Sequence, residues 1–316
     1  MEEIFATWVS NENVRDSSSS GGAFSALAVE VIGAGGIVYG AAFDKDFNVV
    51  HRGVETVEAL ASLRSSKYVF SSFASVLPEV KSEVESGRRV LFSGVPCQIA
   101  ALRKMLGREY DNLLCVEVIC HGSPSAGLWN LYLDRLCQEH HRRRSDIAAI
   151  SFRDKSTGWK TYSFTVRFSD GSAVSHPYTD NPYMMAFLRD LSLREGCFRC
   201  PFKRGQSGAD ITLGDFWGVE TVAPSIDNNR GVSLVIVHTA RGRKAAANLR
   251  RMASVDEHDV IIHNPSYART AKEPPARKPF LKMLAKKSDP IAAMRIYIER
   301  KPMKRLKLRL KYLFSR

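Results

Sequence analysis

Four of this chain's six cysteines stand beside glycine or proline, where a backbone turns sharply. Cys97 lies in GVPCQ and Cys120 in ICHG, while Cys197 and Cys200 form the Cys-x-x-Cys pair of GCFRCPF. A 4Fe-4S cluster needs four thiolates converging on one cage, often with one close pair and two ligands from distant loops. A zinc ribbon wants two close pairs, so this spacing is loose for zinc. Cluster, zinc and buried thiols remain three open readings of the four. Cys115 in LLCVEVI and Cys137 in LDRLCQ lie in apolar runs and read as small core residues. His121 directly follows Cys120. It could donate a proton beside a redox site, although a single histidine is more often structural.

Two further motifs carry polar groups suited to anions. SSSSGGAF is either a flexible loop with a helix cap or a phosphate or flavin cradle. Serine hydroxyls and glycine N–H groups at a helix start make good anion donors. SSKYVFSS sets Lys67 and Tyr68 in a polar loop, where Lys67 is either a surface lysine or a phosphate or cofactor contact. The chain has neither a Walker A loop nor GxGxxG. Asp210 and Asp215 flank a strand, and Asp215 in GDFWG reads as a turn former, with Trp217 in the core.

The elements that must position these residues follow from periodicity. After RDSSSSGG, the apolar residues Phe24, Leu27, Ala28, Val31 and Ile32 recur at helical spacing until Gly33, Gly35 and Gly36. GIVYGAAF and NVVHRGV predict two strands around DKDFN, and VEALASL a short helix. RRVLFSG and NLLCVEVIC predict buried strands, each followed by a cysteine-bearing loop and then a helix. In an open α/β sheet, ligands sit outside the carboxyl ends of strands, so Cys97 and Cys120 share that edge if the strands are neighbours. Further on, IAAISFRD, TYSFTVRF and SAVSH predict an antiparallel set with SDGS as a tight turn. NPYMMAFLRDL predicts a helix, ADITLGDFWG and GVSLVIVHT strands, ARGRKAAANLRRM a helix, DVIIHN a last strand and KEPPARKPF a linker. The expected fold is mixed α/β and non-Rossmann. An α/β part spans residues 15–145, a strand-rich part with the cysteine pair spans 146–265, and a linker and basic tail span 266–316.

The chain of 316 residues is 44% hydrophobic, enough for a real core, with no apolar run long enough for a spanning helix. MEEIFATWVSNEN is acidic and lacks a signal-peptide core, so a reducing, cytoplasmic setting is expected, with ligand or redox roles for the thiols. The net charge of +13 favours anionic partners. HHRRR at 140–144 is one basic knot. Residues 295–316 hold nine Lys or Arg and one Glu, with Leu306, Leu310 and Leu313 on one helical face and Leu308 off it. That tail is either solvated or a basic amphipathic helix for a partner or an anionic membrane's inner face.

SSGGAF, SSKY, LFSGVPCQIAAL, CHGSPS, SFRDKSTGW and CFRCPFKRGQSGADITLGDFWG occur in that order. In this the sequence from Arg15 to His263 resembles the coenzyme F-420 hydrogenase/dehydrogenase beta-subunit family, including its bacterial branch often found with polysaccharide genes. The resemblance implies an iron–sulfur flavoprotein oxidoreductase that binds FAD on a non-Rossmann α/β scaffold beside a 4Fe-4S cluster. Carried over by motif, Cys97, Cys120, Cys197 and Cys200 match the cluster ligands. Ser20, Gly21, Gly22, Ser66, Lys67 and Tyr68 fall in motifs near the flavin, and His121 is the candidate acid. Many bacterial members begin with a ferredoxin module. Six cysteines, four already assigned, cannot supply one, so a separate ferredoxin or ferredoxin-like donor is expected, along with a small-molecule substrate. The alternatives are a non-enzymatic electron-transfer subunit or a zinc-stabilised nucleic-acid-binding protein. No nucleic-acid motif supports the last, and no nucleic acid is expected.

Overall fold

The computed structural model describes residues 3–286, 289–299 and 302–314. Among the described residues, eleven strands form two sheets: β1 Glu3–Thr7, β2 Ile37–Phe43, β3 Val49–Val54, β4 Val90–Gly94, β5 Leu113–Val118, β6 Ile147–Asp154, β7 Ser163–Phe168, β8 Ala173–Pro177, β9 Ile211–Asp215, β10 Ser233–Val237 and β11 Ala253–Ser254. The large sheet runs β11-β1-β10-β9-β5-β4-β2-β3, and the small one β6-β7-β8. β2, β4, β5 and β9 pair in parallel, while β3, β10, β1 and β11 extend the sheet antiparallel at its two sides. The fold is the mixed α/β expected, with one sheet drawing strands from both parts of the chain.

Burial on both faces explains the near-continuous apolar runs of the central strands. Leu91, Leu114 and Val116 face α2 (Ala23–Gly33), which follows the short helix α1 (Glu12–Ser17) and contributes Leu27 and Ala28. Val90, Phe92, Leu113 and Cys115 face α3 (Leu77–Glu85) and α4 (Pro96–Leu106). The small sheet packs its aromatics against α5 (Ala126–Glu139) and α6 (Pro182–Leu188), where Trp129, Phe152, Phe164 and Tyr183 form one cluster. Cys115 and Cys137 are buried, as expected of core residues.

Several local expectations change. DVIIHN is the helix Glu257–His263, because Asp256 caps it from its side chain and Glu257 and Asp259 complement the dipole in its first turn. Glu3–Thr7, read as no element, is a strand whose partner β10 is remote in sequence. VEALASL shortens to a 3₁₀ turn over Ala59–Leu63, and the helix in ARGRKAAANLRRM ends at Ala245. KEPPARKPF already holds the start of the helix Arg277–Lys286, whose Phe280 is buried beside Ile291 and Met294 of the helix Pro290–Ile298.

Candidate functional site

A cleft of about 420 Å³ opens at the carboxyl ends of the parallel strands. Ala41 of β2, Gly94 of β4, Val118 of β5 and Asp215 of β9 mark its floor. β4 and β5 are hydrogen-bonded neighbours, so the loops that carry Cys97 and Cys120 do leave the sheet side by side.

Cys97 occupies the first turn of α4, directly after β4. Gln98, next to it, explains the last letter of GVPCQ. Its Oε1 accepts from the Val95 N–H at 3.0 Å, and its Nε2 donates to Ser71 Oγ at 2.9 Å, tying the cysteine turn to the SSKYVFSS loop. Cys120 lies just past β5. A bridge between Pro124 and Leu193, with the Arg194 N–H donating to Ser123 O, lays the segment before Cys197 along the segment after Cys120. All four cysteines are free and half-buried. Burial first, then the nearby Cys200 and Cys197 thiols, push the Cys97 thiol up, with Arg194 opposing. The Cys120 thiol is pushed up to about 12, chiefly by burial, with Lys203 opposing and Cys97 and Cys197 adding. Cys97 thus lies near Cys197 and Cys200, and Cys120 near Cys97 and Cys197. Among the described residues, however, no three His, Cys, Asp or Glu side chains stand ready-arranged around a metal position. In donor chemistry, four cysteine sulfurs brought in by three loops are the ligand set an iron–sulfur cage takes.

The SSSSGG loop enters α2 through Gly22, whose φ of +90° suits glycine, and no side chain caps that helix start. Ser20 and Gly22 line the cleft. Gly21 does not. It is wedged against the sheet, where a Cβ would meet Thr7 O at 2.5 Å. Ser20 Oγ is spent on Val232 O at 2.6 Å. The Ser66 N–H donates to Ser19 Oγ at 2.7 Å, which joins the two polar loops. Lys67 corrects the surface reading, because its ammonium donates to the carbonyls of Ala41, Ser62 and Arg64 at 2.9, 3.1 and 2.8 Å. All three protons are used, and burial pulls its pKa down to about 7. Tyr68 lines the cleft and stacks on Phe187, ring centroids 4.9 Å apart.

Sequence reasoning missed the cation with donors to spare. Arg64 lines the cleft and uses Nε on Ser25 Oγ at 3.1 Å, and among the described residues no carboxylate pairs with it. It also missed the backing of the serine loop. Arg153 and Trp159 both donate to Ser19 O, at 3.3 and 3.1 Å, and Lys155 donates to Ser20 O at 3.2 Å. These three residues of SFRDKSTGW tie down the loop's carbonyls. A basic and aromatic cluster at a strand end was the signal available. Asp215, read as a turn former, is instead the 2.7 Å ion-pair partner of Arg153 on the cleft wall. Trp217 is half-buried in that wall and stacks on Trp159 at 4.9 Å, rather than filling the core.

At the cysteine end, His121 Nε2 lies 2.7 Å from Asp190 Oδ1, an ion-pair distance without hydrogen-bond alignment. Its Nδ1 is 3.3 Å from Ser266 Oγ. Lys203 clamps this corner by donating to Cys120 O and Ser266 O, both at 2.8 Å. The clamp holds the segment 264–266 against the Cys120 turn.

Over residues 87–261, more than half of the chain, the sequence matches the family described as the C terminus of the coenzyme F420 hydrogenase/dehydrogenase beta subunit. Among solved structures, the fold is similar to a chain of the F420-reducing NiFe hydrogenase complex from Methanosarcina barkeri. The TM-score is 0.53 at 18% identity, over 83% of this chain and 89% of that one. At that identity the likeness speaks for the fold. No curated protein matches the sequence.

Proposed function

We propose, from the premise that this chain belongs to the coenzyme F420 hydrogenase/dehydrogenase beta-subunit family, that it is an iron–sulfur flavoprotein serving a ferredoxin-like electron donor and a two-electron substrate. Membership makes it an oxidoreductase component with a part in electron transfer. A thiolate-held 4Fe-4S cluster supplies single electrons and FAD exchanges one or two, which together join a one-electron donor to a two-electron substrate.

The chain's own residues divide the labour. Cys97, Cys120, Cys197 and Cys200 would hold the cluster. The open start of α2 at Gly22, with Arg64 beside it, would bind the flavin's diphosphate, while Ser20, its hydroxyl spent on Val232 O, would fix the loop that leads into it. Ser66 and Lys67 keep the second loop in place, and Tyr68 offers its ring as a wall. Arg153, Lys155 and Trp159 tie down the serine loop's carbonyls. His121 would hold a proton at Nε2 against Asp190, at the cleft end nearest the cysteines, and release it to substrate. Trp217 and Tyr68 exclude water from the walls between.

One observation carries this reading: a single cleft holds an uncapped helix start, an arginine with no carboxylate partner among the described residues, and Cys120, whose thiol feels Cys97 and Cys197. Anaerobically purified protein should show a broad band near ~400 nm and about four irons per chain. Its heat-released supernatant should contain FAD. Cys197→Ser should abolish the iron, whereas Cys137→Ser should retain it. Stoichiometric zinc without iron would reject the cluster, and a flavin-free supernatant would reject FAD.

A further inference from the structure

We infer that Asn264 is the donor that binds the acceptor edge of the redox-active ring in this cleft, an inference that rests on the flavin reading above. The backbone of Asn264 is fully engaged. Its N–H donates to Val260 O at 2.7 Å, and its carbonyl accepts from the Tyr267 N–H at 2.9 Å. Its side chain is another matter. The residue is 5% exposed, it lines the cleft, and Nδ2 finds no acceptor among the described residues. A buried donor left unmet is unfavourable, so a site that keeps one is built for a ligand that supplies the acceptor.

The segment around Asn264 cannot retreat. Ser266 is held by Lys203 through its carbonyl and stands beside His121 through its hydroxyl. On the other flank the His263 ring occupies the space where Gly218 lacks a side chain, and a Cβ there would lie 2.2 Å from that ring. The amide is therefore fixed at the end of the cleft where Cys120 and His121 stand. That end is where a two-electron ring must sit to be reached from the thiols.

The ligand group Asn264 calls for is a ring carbonyl or imine nitrogen, the acceptors of a flavin's pyrimidine edge. The diphosphate-seeking groups, Arg64 and the start of α2, belong to other segments. A neutral donor strengthens its bond as the acceptor gains negative charge. Asn264 thus favours the reduced ring over the oxidised one.

Wild type, Asn264→Ala and Asn264→Asp are purified anaerobically. Flavin content and melting temperature are measured first, then the two-electron midpoint potential by dye equilibration during dithionite titration. Asn264→Asp keeps the shape and replaces the donor by a carboxylate. It should weaken the preference for reduced flavin by ~10-fold or more, which is about 30 mV in a two-electron couple. Asn264→Ala should shift it in the same direction by less. Loss of flavin from both variants at unchanged melting temperature supports the contact as well. Normal flavin content with an unmoved potential in Asn264→Asp overturns the inference and leaves the flavin reading standing. Wild type without flavin overturns both.

Discussion

Lys67 and Arg64 stand three residues apart in one polar loop and have opposite roles. The Lys67 ammonium is saturated by three carbonyls and braces the loop from within. Arg64 lines the cleft beside α2, held there by its Nε on Ser25 Oγ. Arg64→Ala should cut FAD affinity by ~10-fold or more, the worth of one charge-assisted contact. Lys67→Met should lower stability by about 2 kcal/mol first and flavin retention second. Flavin occupancy after gel filtration and chemical denaturation separate the two, and the reverse ranking would contradict this division. The sequence singled out this loop but not the fate of its cation, because the Ala41 carbonyl that captures Lys67 comes from a strand 26 residues away. His51 gives a test by pH. It is 3% exposed, its Nε2 lies 3.0 Å from Ser93 O and its Nδ1 3.0 Å from Ser71 Oγ. Burial pulls its pKa down to about 4. Unfolded, the imidazole titrates near ~6.5, so folded stability is complete above that pH. As pH falls from about 6.5 to about 4, the unfolded chain gains a proton the fold refuses, and stability drops by up to ~3 kcal/mol. His51→Gln should flatten that limb of the stability curve in denaturant titrations.

At the scale of elements, the cysteine-bearing loops and their helices were legible because each unit is local. RRVLFSG and NLLCVEVIC state buried strands in their own composition, and β4 and α4 follow within the next residues. What escaped was decided elsewhere. The apolar VII of DVIIHN looks like a strand, yet Asp256 starts a helix and no neighbouring strand recruits the segment. The small sheet was predicted as strands, but its support of the serine loop was not, since Arg153 and Trp159 meet Ser19 across more than a hundred residues. Gly218 belongs to this scale, because it lets the GDFWG turn dock on the segment of His263. At its φ of +85°, and with a Cβ 2.2 Å from the His263 ring, Gly218→Ala is strained twice over. It should cost ~2–4 kcal/mol in denaturant unfolding and loosen flavin binding with it. A loss below ~1 kcal/mol would show that the docking is slack.

Across the whole molecule the excess of positive charge is the broadest feature, at +13. None of the described helices is long and apolar enough to cross a membrane. The basic tail begins later than the charge run does, because Ile296 and its neighbours in the helix Pro290–Ile298 are buried. The helix Pro302–Phe314 leaves Met303, Leu306 and Leu310 exposed, while the side chain of Leu313 lies outside the described residues. A truncation that respects the core therefore ends at Glu299. Reduction by an acidic ferredoxin should slow several-fold between ~0.05 and ~0.5 M salt if opposite charges steer the encounter. A rate indifferent to salt would reject steering. Flotation with anionic liposomes should weaken in the truncated chain if the tail helix lies on membranes, and equal flotation would assign it to solvent or a protein.

The place of β1 has a consequence for biosynthesis. Glu3 pairs with Val237, and β1 sits between β10 and β11, inside the large sheet rather than at its rim. Once made, β1 must wait for more than two hundred further residues before its ladder with β10 exists. Such non-local closure is slow. Until then β1 and the half-built sheet present open edges on the ribosome, where holding chaperones would be needed. Cys97 and Cys120 emerge during that wait, and Cys197 and Cys200 only near its end. On the cluster reading proposed above, metal loading would be a late event in the life of each chain, and a cell short of iron would accumulate an unloaded form.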